Sequence, residues 1–404
     1  MNDGGLLTGI RVVDLTQGVT GPYATKLFAD FGAEVIKIEH PNVGDVARRM
    51  GPFPDDEPHL ERSGVFLHIN TNKLGLALNI KSEPGQRILK TLLKNADLLV
   101  EGFRPGVMES LGLGYERVRE INPAIVRASV SNFGQWGPYR DFEVTELTAY
   151  AVGVSMHCTG VPEREPMRLP NTATLMQSGN MLAAVVMNIL FGAVATGQGE
   201  YVDHSIMETQ AASADRNGPA LTAMAYSGEL SFRRSMMRRF SILPFGAYPC
   251  ADGYVHFTAS QASWWPKFCT MIGHPELIDD PRFTGDNFSD PELGFEVDAY
   301  FIPWLLTKTK SEAMDLCADV GGTPINTMAD VFSDPHFRGR DFFSVVDHPA
   351  SGRLEYPGAQ VKLQQGSWRA GRAPLLGEHN LEILCGRLGL SYGEVVHLAR
   401  EGVI

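Results

Sequence analysis

Histidine, cysteine and arginine are the side chains in this 404-residue sequence whose types could support chemistry without a recognised motif. The 11 histidines are scattered at spacings that suit no metal site, so a lone residue such as His157 or His256 is interpreted as structural. The five cysteines are far apart and form no CxxC pair, which predicts reduced thiols and no bound zinc. The basic run Arg233–Arg239 is interpreted as a solvated loop or an interface, which could bind a carboxylate or a partner.

The absence of known catalytic motifs and the negative net charge reduce the number of functional classes that fit the sequence. The sequence contains no GxSxG, P-loop, HExxH or GxGxxG motif, so the residues by themselves name no reaction. With 35 basic and 47 acidic side chains, the net charge of −12 argues against binding to nucleic acid. A small anionic ligand needs only a local cluster of Arg and Lys, so that class of ligand stays open.

The N-terminal sequence lacks the pattern of a signal peptide. The most apolar run, Met181–Ala195, is interrupted by Asn188 and Gly192 and is too short to span a bilayer. We therefore predict a buried helix there, no membrane contact and a cytoplasmic location.

The elements that would hold a ligand site are alternating strands and helices in the first hundred residues. Strand-like segments occur at Ile10–Leu15, Ala33–Ile38 and Ala96–Val100, and helical patterns occur at Tyr23–Phe31 and Pro84–Asn95. This alternation predicts an α/β fold with a parallel sheet that is covered on both faces. Ligands of such sheets bind at the carboxyl ends of the strands.

The segments from Thr172 onward predict one further strand of the same sheet and then a second, smaller unit. A long helical pattern, Thr172–Gly197, leads into a strand at Glu200–Ile206. The segment Tyr248–Phe257 predicts a hairpin with an Asp-Gly turn, and helical segments follow it to about residue 335. A smaller unit therefore follows the sheet.

Short segments spread along nearly the whole chain carry a family resemblance. In order they are Thr8–Thr16, Gly21–Thr25, Asp30–Glu39, Gly44–Asp45, Asn70–Lys73, Leu99–Gly106, Leu111–Glu116, Phe133–Tyr139, Thr196–Asp203, Asp252–Val255 and Leu376–Asn380. Each segment is weak evidence alone, but the ordered set is specific. The sequence resembles the class III CoA-transferases, the carnitine and bile-acid CoA-transferase family.

The resemblance implies an architecture and a substrate. A Rossmann-like large domain would be built from residues 1–215 and 336–404, with a smaller α+β domain at 225–335 between them. Two subunits would be threaded through each other like interlocked rings. A coenzyme A thioester would be a substrate, with no permanently bound cofactor and no metal, and CoA would lie at the carboxyl ends of the large-domain strands.

Positions that match the family's CoA-binding segments are predicted to contact CoA. Val19 and Thr20 match the turn that contacts pantetheine. The 3′-phospho-ADP group needs nearby cations, and Arg48, Arg49, Lys73 and Arg104 are available. The predicted CoA-binding residues are Val19, Thr20, Arg48, Asn70, Thr71, Asn72, Lys73, Phe103 and Arg104.

The sequence departs from the family at the nucleophile. The resemblance implies one aspartate that attacks the acyl-CoA thioester and so divides a difficult exchange into two easier steps. Its position falls on Thr174 or Leu175, and no aspartate occurs between Phe142 and Val202. The sequence therefore predicts that this chain has no catalytic residue of the family's kind.

Three other positions differ from the family pattern. Gly102 stands where the family usually has Asn, and Ser110 stands where some members have an Arg that binds CoA. Thr145 replaces the His that the related α-methylacyl-CoA racemases use for proton transfer, which argues against racemase activity.

Three functions stay open at this point. We favour the nucleophile-lacking subunit of a heteromeric transferase, whose homologous partner carries the Asp and whose acceptor is a benzylsuccinate-type acid. The second is a self-sufficient transferase or CoA-dependent lyase that uses Glu146, although hydrogen bonding to loop backbone is the favoured role for that residue. The third is a protein that binds acyl-CoA without turnover.

Overall fold

The structure is a computed structural model, and it describes residues 5–161, 163–169, 172–213, 217–228, 241–259, 261–364, 368 and 371–404. The chain divides into two units. The large unit comprises Met1–Cys158, Met167–Leu230 and Asp341–Ile404, and the small unit comprises Thr159–Pro166 and Ser231–Arg340. The basic segment Arg233–Arg239 lies outside the described residues.

A six-stranded parallel sheet forms the centre of the large unit, which confirms the predicted α/β fold. Its strands, in chain order, are β1 (Arg11–Leu15), β2 (Glu34–Glu39), β3 (Leu74–Ala77), β4 (Leu98–Glu101), β5 (Val126–Ser131) and β6 (Tyr201–Ser205). Their spatial order is β3-β2-β1-β4-β5-β6. The chain therefore reverses its direction of travel across the sheet between β1 and β4, where open α/β sheets form a ligand crevice.

Helices cover both faces of this sheet. The helices of the large unit are α1 (Thr20–Asp30), α2 (Gly64–Ile69), α3 (Glu83–Leu93), α4 (Val107–Ser110), α5 (Tyr115–Ile121), α6 (Glu146–Val152), α7 (Ala173–Thr196), α8 (Ile206–Ser213), α9 (Asn217–Ser227) and, near the C-terminus, α15 (Tyr392–Arg400). A π-helix, Glu382–Arg387, precedes α15.

Successive side chains of each strand point to opposite faces of the sheet. On one face, Val13 of β1 belongs to a buried cluster with Leu89 of α3 and Val395 of α15. On the other face, Val12 belongs to a cluster with residues of α1 and α7, including Leu182. Both faces of the sheet are thus largely apolar, and the few polar side chains within the strands, such as Lys37 and Arg127, are buried in ion pairs.

Helix α7 has 24 residues and matches the predicted helical pattern Thr172–Gly197, which contains the apolar run Met181–Ala195. By length and composition alone it is apolar enough to cross a membrane, although 28% of its most apolar stretch is buried within this chain and core helices of soluble proteins meet the same criterion. The prediction of a buried helix is wrong for one part of the helix surface, because Phe191 is 79% exposed and Val194 is 65% exposed. Asn188 does not interrupt it, because its side chain donates to the Ala184 carbonyl at 2.7 Å.

The edge strand β3 is bound on its outer side by residues close to the C-terminus. The Gly75 N–H donates to His379 Nδ1 at 3.0 Å, and the His379 N–H donates back to the Gly75 carbonyl at 3.0 Å. The Ala77 N–H donates to Asn380 Oδ1 at 2.9 Å. The free edge of the sheet is thus occupied by groups that belong to a non-strand segment. A hairpin of β10 (Phe343–His348) and β11 (Gly352–Pro357) also belongs to the large unit.

The small unit contains a three-stranded antiparallel sheet and five helices among its described residues. The strands β7 (Phe245–Cys250) and β8 (Gly253–Thr258) form the hairpin predicted from the Asp-Gly turn, and β9 (Gly322–Pro324) pairs with β8. The helices are α10 (Trp265–Met271), α11 (Gly294–Leu305), α12 (Lys310–Cys317), α13 (Met328–Ser333) and α14 (Pro335–Gly339). Phe257, Phe268 and Phe301 form the centre of its core.

Candidate functional site

A cavity of about 460 Å³ opens at the carboxyl ends of β1, β4 and β5, and we call it the main cavity. Residues 16–21 after β1, 102–105 after β4 and 130–132 at the end of β5 form much of its wall. Residues 140–144, Leu175 of α7 and Ile206 of α8 complete the lining. It therefore lies where the reversal of strand order predicts a ligand site.

A second cavity of about 400 Å³ shares Gln17, Phe103 and Arg104 with the main cavity, and we call it the neighbouring cavity. Apolar side chains such as Leu15 and Ile38 dominate its lining, which also includes Val43, Leu78, Ile80, Val107 and Leu111. The basic side chains in its lining are those of His40, Lys81 and Arg104. Such a lining suits a flat apolar ring with attached anionic groups.

Two of these basic residues were not predicted from the sequence. His40 comes directly after β2, and Lys81 comes shortly after β3. Their position after strands is the signal that could have found them, because ligands of parallel sheets collect at those ends.

Four of the predicted CoA-binding residues line the main cavity: Val19, Thr20, Phe103 and Arg104. The Arg104 side chain is 72% exposed, and its guanidinium pairs with the Glu143 carboxylate at 2.6 Å. It is thus a cation that a phosphate can reach by displacing a solvated carboxylate.

Arg48 lies in the interior of the large unit. Its guanidinium donates to both carboxylate oxygens of Glu39, at 2.7 and 2.8 Å, and to Glu61 at 2.5 Å. It also stacks on the ring of Phe66, at 3.7 Å from the centroid. Arg48 therefore already has its anionic partners within the protein.

Lys73 and Asn70 are buried together. The Lys73 ammonium donates to Asp14 at 3.0 Å, to the Pro22 carbonyl at 2.8 Å and to Asn70 Oδ1 at 2.8 Å. Burial disfavours the ammonium and lowers the pKa of Lys73 to about 8, although Asp14 favours the charged form. Lys73 therefore joins β3 to the first turn of α1.

Thr71 and Asn72 donate to one carboxylate oxygen of Asp30, at 2.7 and 2.6 Å. The structure thus brings Arg48, Asn70, Thr71, Asn72 and Lys73 into buried polar networks beside the strand ends, and none of these five is among the residues that line the two cavities.

Leu175 occupies the wall of the main cavity at one of the two positions where the family's nucleophile is expected. Thr174, the other position, is buried, and its carbonyl accepts from Gln210 at 3.3 Å. The carboxylates in the described lining of the main cavity are Asp141 and Glu143. Asp141 pairs with Arg140 at 3.3 Å, as Glu143 pairs with Arg104. No sequence pattern predicts these two carboxylates, because they follow no strand and belong to an irregular loop.

Glu146 begins α6 and is half-buried. Burial raises its pKa, and it accepts a hydrogen bond from the Thr174 backbone N–H, which counteracts that shift. It is not among the residues that line the main cavity. Glu146 thus binds backbone in the first turn of α7, rather than the loop backbone that is expected from the sequence.

Gly102, Ser110 and Thr145 are the three other positions that differ from the family pattern. Gly102 lines the main cavity, and a Cβ added there would meet Thr16 no closer than 3.7 Å, so the missing side chain leaves space. The Ser110 hydroxyl donates to the Val107 carbonyl at 2.7 Å. Thr145 caps α6. Within the described ranges, no group of three or more His, Cys, Asp or Glu side chains is placed to hold a metal ion.

A buried polar pair lies one turn after Leu175 on α7. Ser178 Oγ is 2.8 Å from His204 Nε2, and Thr209 Oγ1 of α8 is 3.4 Å from the same nitrogen. Burial lowers the pKa of His204 to about 4, so the imidazole is neutral at pH 7. The pair connects β6 to both neighbouring helices.

Comparison with known proteins agrees with this geometry. Residues 7–380 match CoA-transferase family III. The formyl-CoA:oxalate CoA-transferase of Bradyrhizobium diazoefficiens is 32% identical over 98% of this chain and 97% of its own length. Subunit BbsE of the succinyl-CoA:(R)-benzylsuccinate CoA-transferase of Thauera aromatica is 31% identical over 98% of this chain and 97% of its own.

A solved structure extends the agreement to the fold. The crystal structure of a CaiB/BaiF family protein from Brucella suis has a TM-score of 0.84 and 25% identity, and covers 95% of this chain and 100% of its own. Members of the matched family act on CoA thioesters. The expectation drawn from the resemblance is thus confirmed at the level of family and fold: this chain belongs to CoA-transferase family III.

Proposed function

We propose that this chain binds a CoA thioester and serves as the nucleophile-lacking subunit of a heteromeric class III CoA-transferase. The observation that carries the proposal is the side chain of Leu175 in the wall of the main cavity. A carboxylate at that position would attack the thioester, whereas a hydrocarbon side chain has no electron pair to donate. The transfer step therefore needs an aspartate from another chain.

The two cavities support a placement for CoA. The adenine ring and the 3′-phospho-ADP group occupy the neighbouring cavity, beside His40, Lys81 and Arg104. The pantetheine arm passes Val19 and Thr20 toward the main cavity, where the thioester lies. In this proposal Arg48, Asn70 and Lys73 act on CoA indirectly, because they hold segments that line the two cavities. Thr71 and Asn72 bind Asp30 and have a structural role in α1.

The proposed partner is a homologous chain that carries the aspartate, in an interlocked dimer or a higher oligomer. Helix α7 supports such a partner, because it exposes apolar side chains that a monomer would leave in water: Phe191 is 79% exposed and Val194 is 65% exposed. The name of the relative BbsE, a subunit, supports it further.

The domain plan, the substrates and the location of the proposed subunit each have their own support. The two units of the chain support the predicted plan, with 1–215 and 336–404 in the CoA-binding domain and 225–335 in the small domain. Succinyl-CoA as donor and a benzylsuccinate-type acceptor, as in anaerobic toluene degradation, are supported by BbsE, while the Bradyrhizobium relative is named for oxalate. The five free cysteines support a cytoplasmic location.

A self-sufficient transferase is the second candidate, because Asp141 and Glu143 place two carboxylates in the main cavity. Each is paired with an arginine, which stabilises the carboxylate charge and makes it a weaker nucleophile. We therefore favour the heteromeric transferase over the self-sufficient one.

Trapping with hydroxylamine tests the proposal. The purified chain is given succinyl-CoA and hydroxylamine, alone and with an Asp-bearing homologue from the same source, and peptides are searched by mass spectrometry for hydroxamates. We expect no hydroxamate on the wild-type chain, labelling of the partner's aspartate in the mixture, and labelling at position 175 in Leu175→Asp. Leu175→Asn, which has the same size as that variant and no carboxylate, is the matched control.

Two results would contradict the proposal. A hydroxamate on Asp141, Glu143 or Glu146 of the lone wild-type chain would make it a self-sufficient enzyme. CoA binding without labelling of either chain in the mixture would make it a binding protein without turnover.

A further inference from the structure

The backbone of the segment that follows β1 is hydrogen-bonded to a buried lysine and to its ion-pair partner. The Lys37 ammonium, on β2, donates to the Thr16 carbonyl and to Asp45 Oδ2, the latter at 2.6 Å. The other oxygen of Asp45 accepts from the Gly18 N–H at 2.8 Å and from the Ala47 N–H at 2.8 Å. Lys37 and Asp45 are both 0% exposed. Two backbone groups of the cavity wall are thus fixed by one buried ion pair.

A second carboxylate completes this arrangement. Asp14 Oδ1 accepts from the Thr16 N–H at 2.9 Å, while its other oxygen accepts from Lys73. The segment from Thr16 to Gly18 therefore has its Thr16 N–H, its Thr16 carbonyl and its Gly18 N–H all bound by buried charged groups. Charged partners make stronger hydrogen bonds than neutral ones, so the segment is held in one conformation.

We propose that Lys37 is a positioning residue for CoA, which acts by fixing the Thr16–Gly21 segment that lines the main cavity. The inference rests on the proposed binding of CoA there. Lys37 lines neither cavity, and its side-chain hydrogen bonds reach the wall of the main cavity at the Thr16 carbonyl and, through Asp45, at the Gly18 N–H. Its loss frees the Thr16 carbonyl and leaves the Asp45 carboxylate buried without its cation, so the segment must move to bring water to both.

Helix α1 offers a matched control. Lys26 forms a buried ion pair with Asp30, four residues later, and lines neither cavity. Lys26→Met thus removes a buried lysine from an ion pair, as Lys37→Met does, and leaves the Thr16–Gly21 segment with its partners. The double variant Lys37→Met with Asp45→Asn removes both charges, so it avoids an unpaired buried carboxylate if the single variant does not fold.

The experiment measures coenzyme A binding to the full-length chain by isothermal titration calorimetry, with hydrogen exchange of the peptide that contains Thr16–Gly21 as second readout. For Lys37→Met, or for the double variant, we expect a Kd raised by about 10-fold, the effect of losing one charged hydrogen bond, and faster exchange in that peptide. For Lys26→Met at a similar loss of Tm, we expect a Kd within about 3-fold of wild type and unchanged exchange.

The possible results separate the two proposals. Equal effects of Lys37→Met and Lys26→Met on Kd, or a double variant that binds and exchanges like wild type, would overturn the positioning role while CoA binding stands. A wild-type chain that binds no CoA would overturn the proposed function, and the positioning role with it.

Discussion

At the scale of single residues, Leu175 changes what the main cavity can bind as well as what it can catalyse. An ionised aspartate there would keep water in the cavity, whereas a leucine offers apolar contact to an acyl chain. Val130 and Ile206 line the same cavity. A bound acyl-CoA would therefore meet hydrocarbon, with its thioester intact.

Arg104 should contribute more to CoA affinity than other exposed arginines, because it lines both cavities. We expect Arg104→Ala to raise the Kd for CoA by about 10-fold and to reduce the dependence of Kd on salt, since one charge-assisted contact to phosphate is lost. Calorimetry at two salt concentrations measures both effects.

Arg117→Ala is the control, because Arg117 is also exposed and paired with a carboxylate, that of Glu120 on α5, and lines neither cavity. An Arg104 variant that binds CoA as tightly as the Arg117 variant would contradict the placement of the nucleotide.

Some site residues could be predicted from the sequence and others could not, for a reason visible in their partners. The family resemblance narrows the expected nucleophile position to Thr174 or Leu175, at the start of a long helix. The burial of Lys73 cannot be predicted in this way, because its partner Asp14 is 59 residues away in the chain. Glu39 and Glu61, which neutralise Arg48, are likewise brought to it by the fold. A sequence lists the cations but does not say which of them already have partners.

At the scale of elements, β6 is joined to α7 and α8 by a histidine that must stay neutral. Burial lowers the pKa of His204 from 6.5 to about 4. Between these two pH values the unfolded chain binds a proton that the folded chain excludes, so the free energy of unfolding decreases as the pH falls through this window. Over the full window this amounts to up to about 3 kcal/mol.

His204→Gln should therefore make the chain less sensitive to acid. We expect the loss of unfolding free energy between pH 7 and pH 5, measured by urea denaturation, to be smaller than in wild type by about 2 kcal/mol. His397→Gln, at an exposed position of α15, should change this difference little. Equal pH dependence in the His204 variant and wild type would contradict the assignment.

The sequence pattern identified most elements of the sheet but not all of them. β1, β2, β4 and β6 appear as apolar or alternating runs, and the structure confirms them. β5 is absent from the predicted strands although its residues alternate between apolar and polar; its polar residues Arg127 and Ser129 are also buried, and Glu101 of β4 binds both. β3 has four residues, too few for a period to be recognised. The burial of the polar side of β5 depends on a neighbouring strand, which no local pattern shows.

At the scale of the whole molecule, the exposed apolar surface of α7 is where the proposed partner would bind. Phe191→Glu should weaken association with the Asp-bearing homologue, or with a second copy, by at least about 10-fold, because a charge would be buried in an apolar contact. Light scattering after size-exclusion chromatography measures the assembly.

Met328→Glu is the matched control, because Met328 is 90% exposed and lies in the small unit. If the Phe191 variant assembled as wild type does and the Met328 variant did not, the interface would have to be sought in the small unit.

The bonds between β3 and the C-terminal segment also have a consequence in time. His379 follows Gly75, its hydrogen-bonding partner, by 304 residues. At translation rates of about 5–20 residues per second, roughly 15–60 s separate the synthesis of the two. During that interval the nascent chain has the strand but not the groups that close its outer edge. The time a ribosome takes to reach the C-terminal segment therefore sets how long this edge is available to other nascent chains.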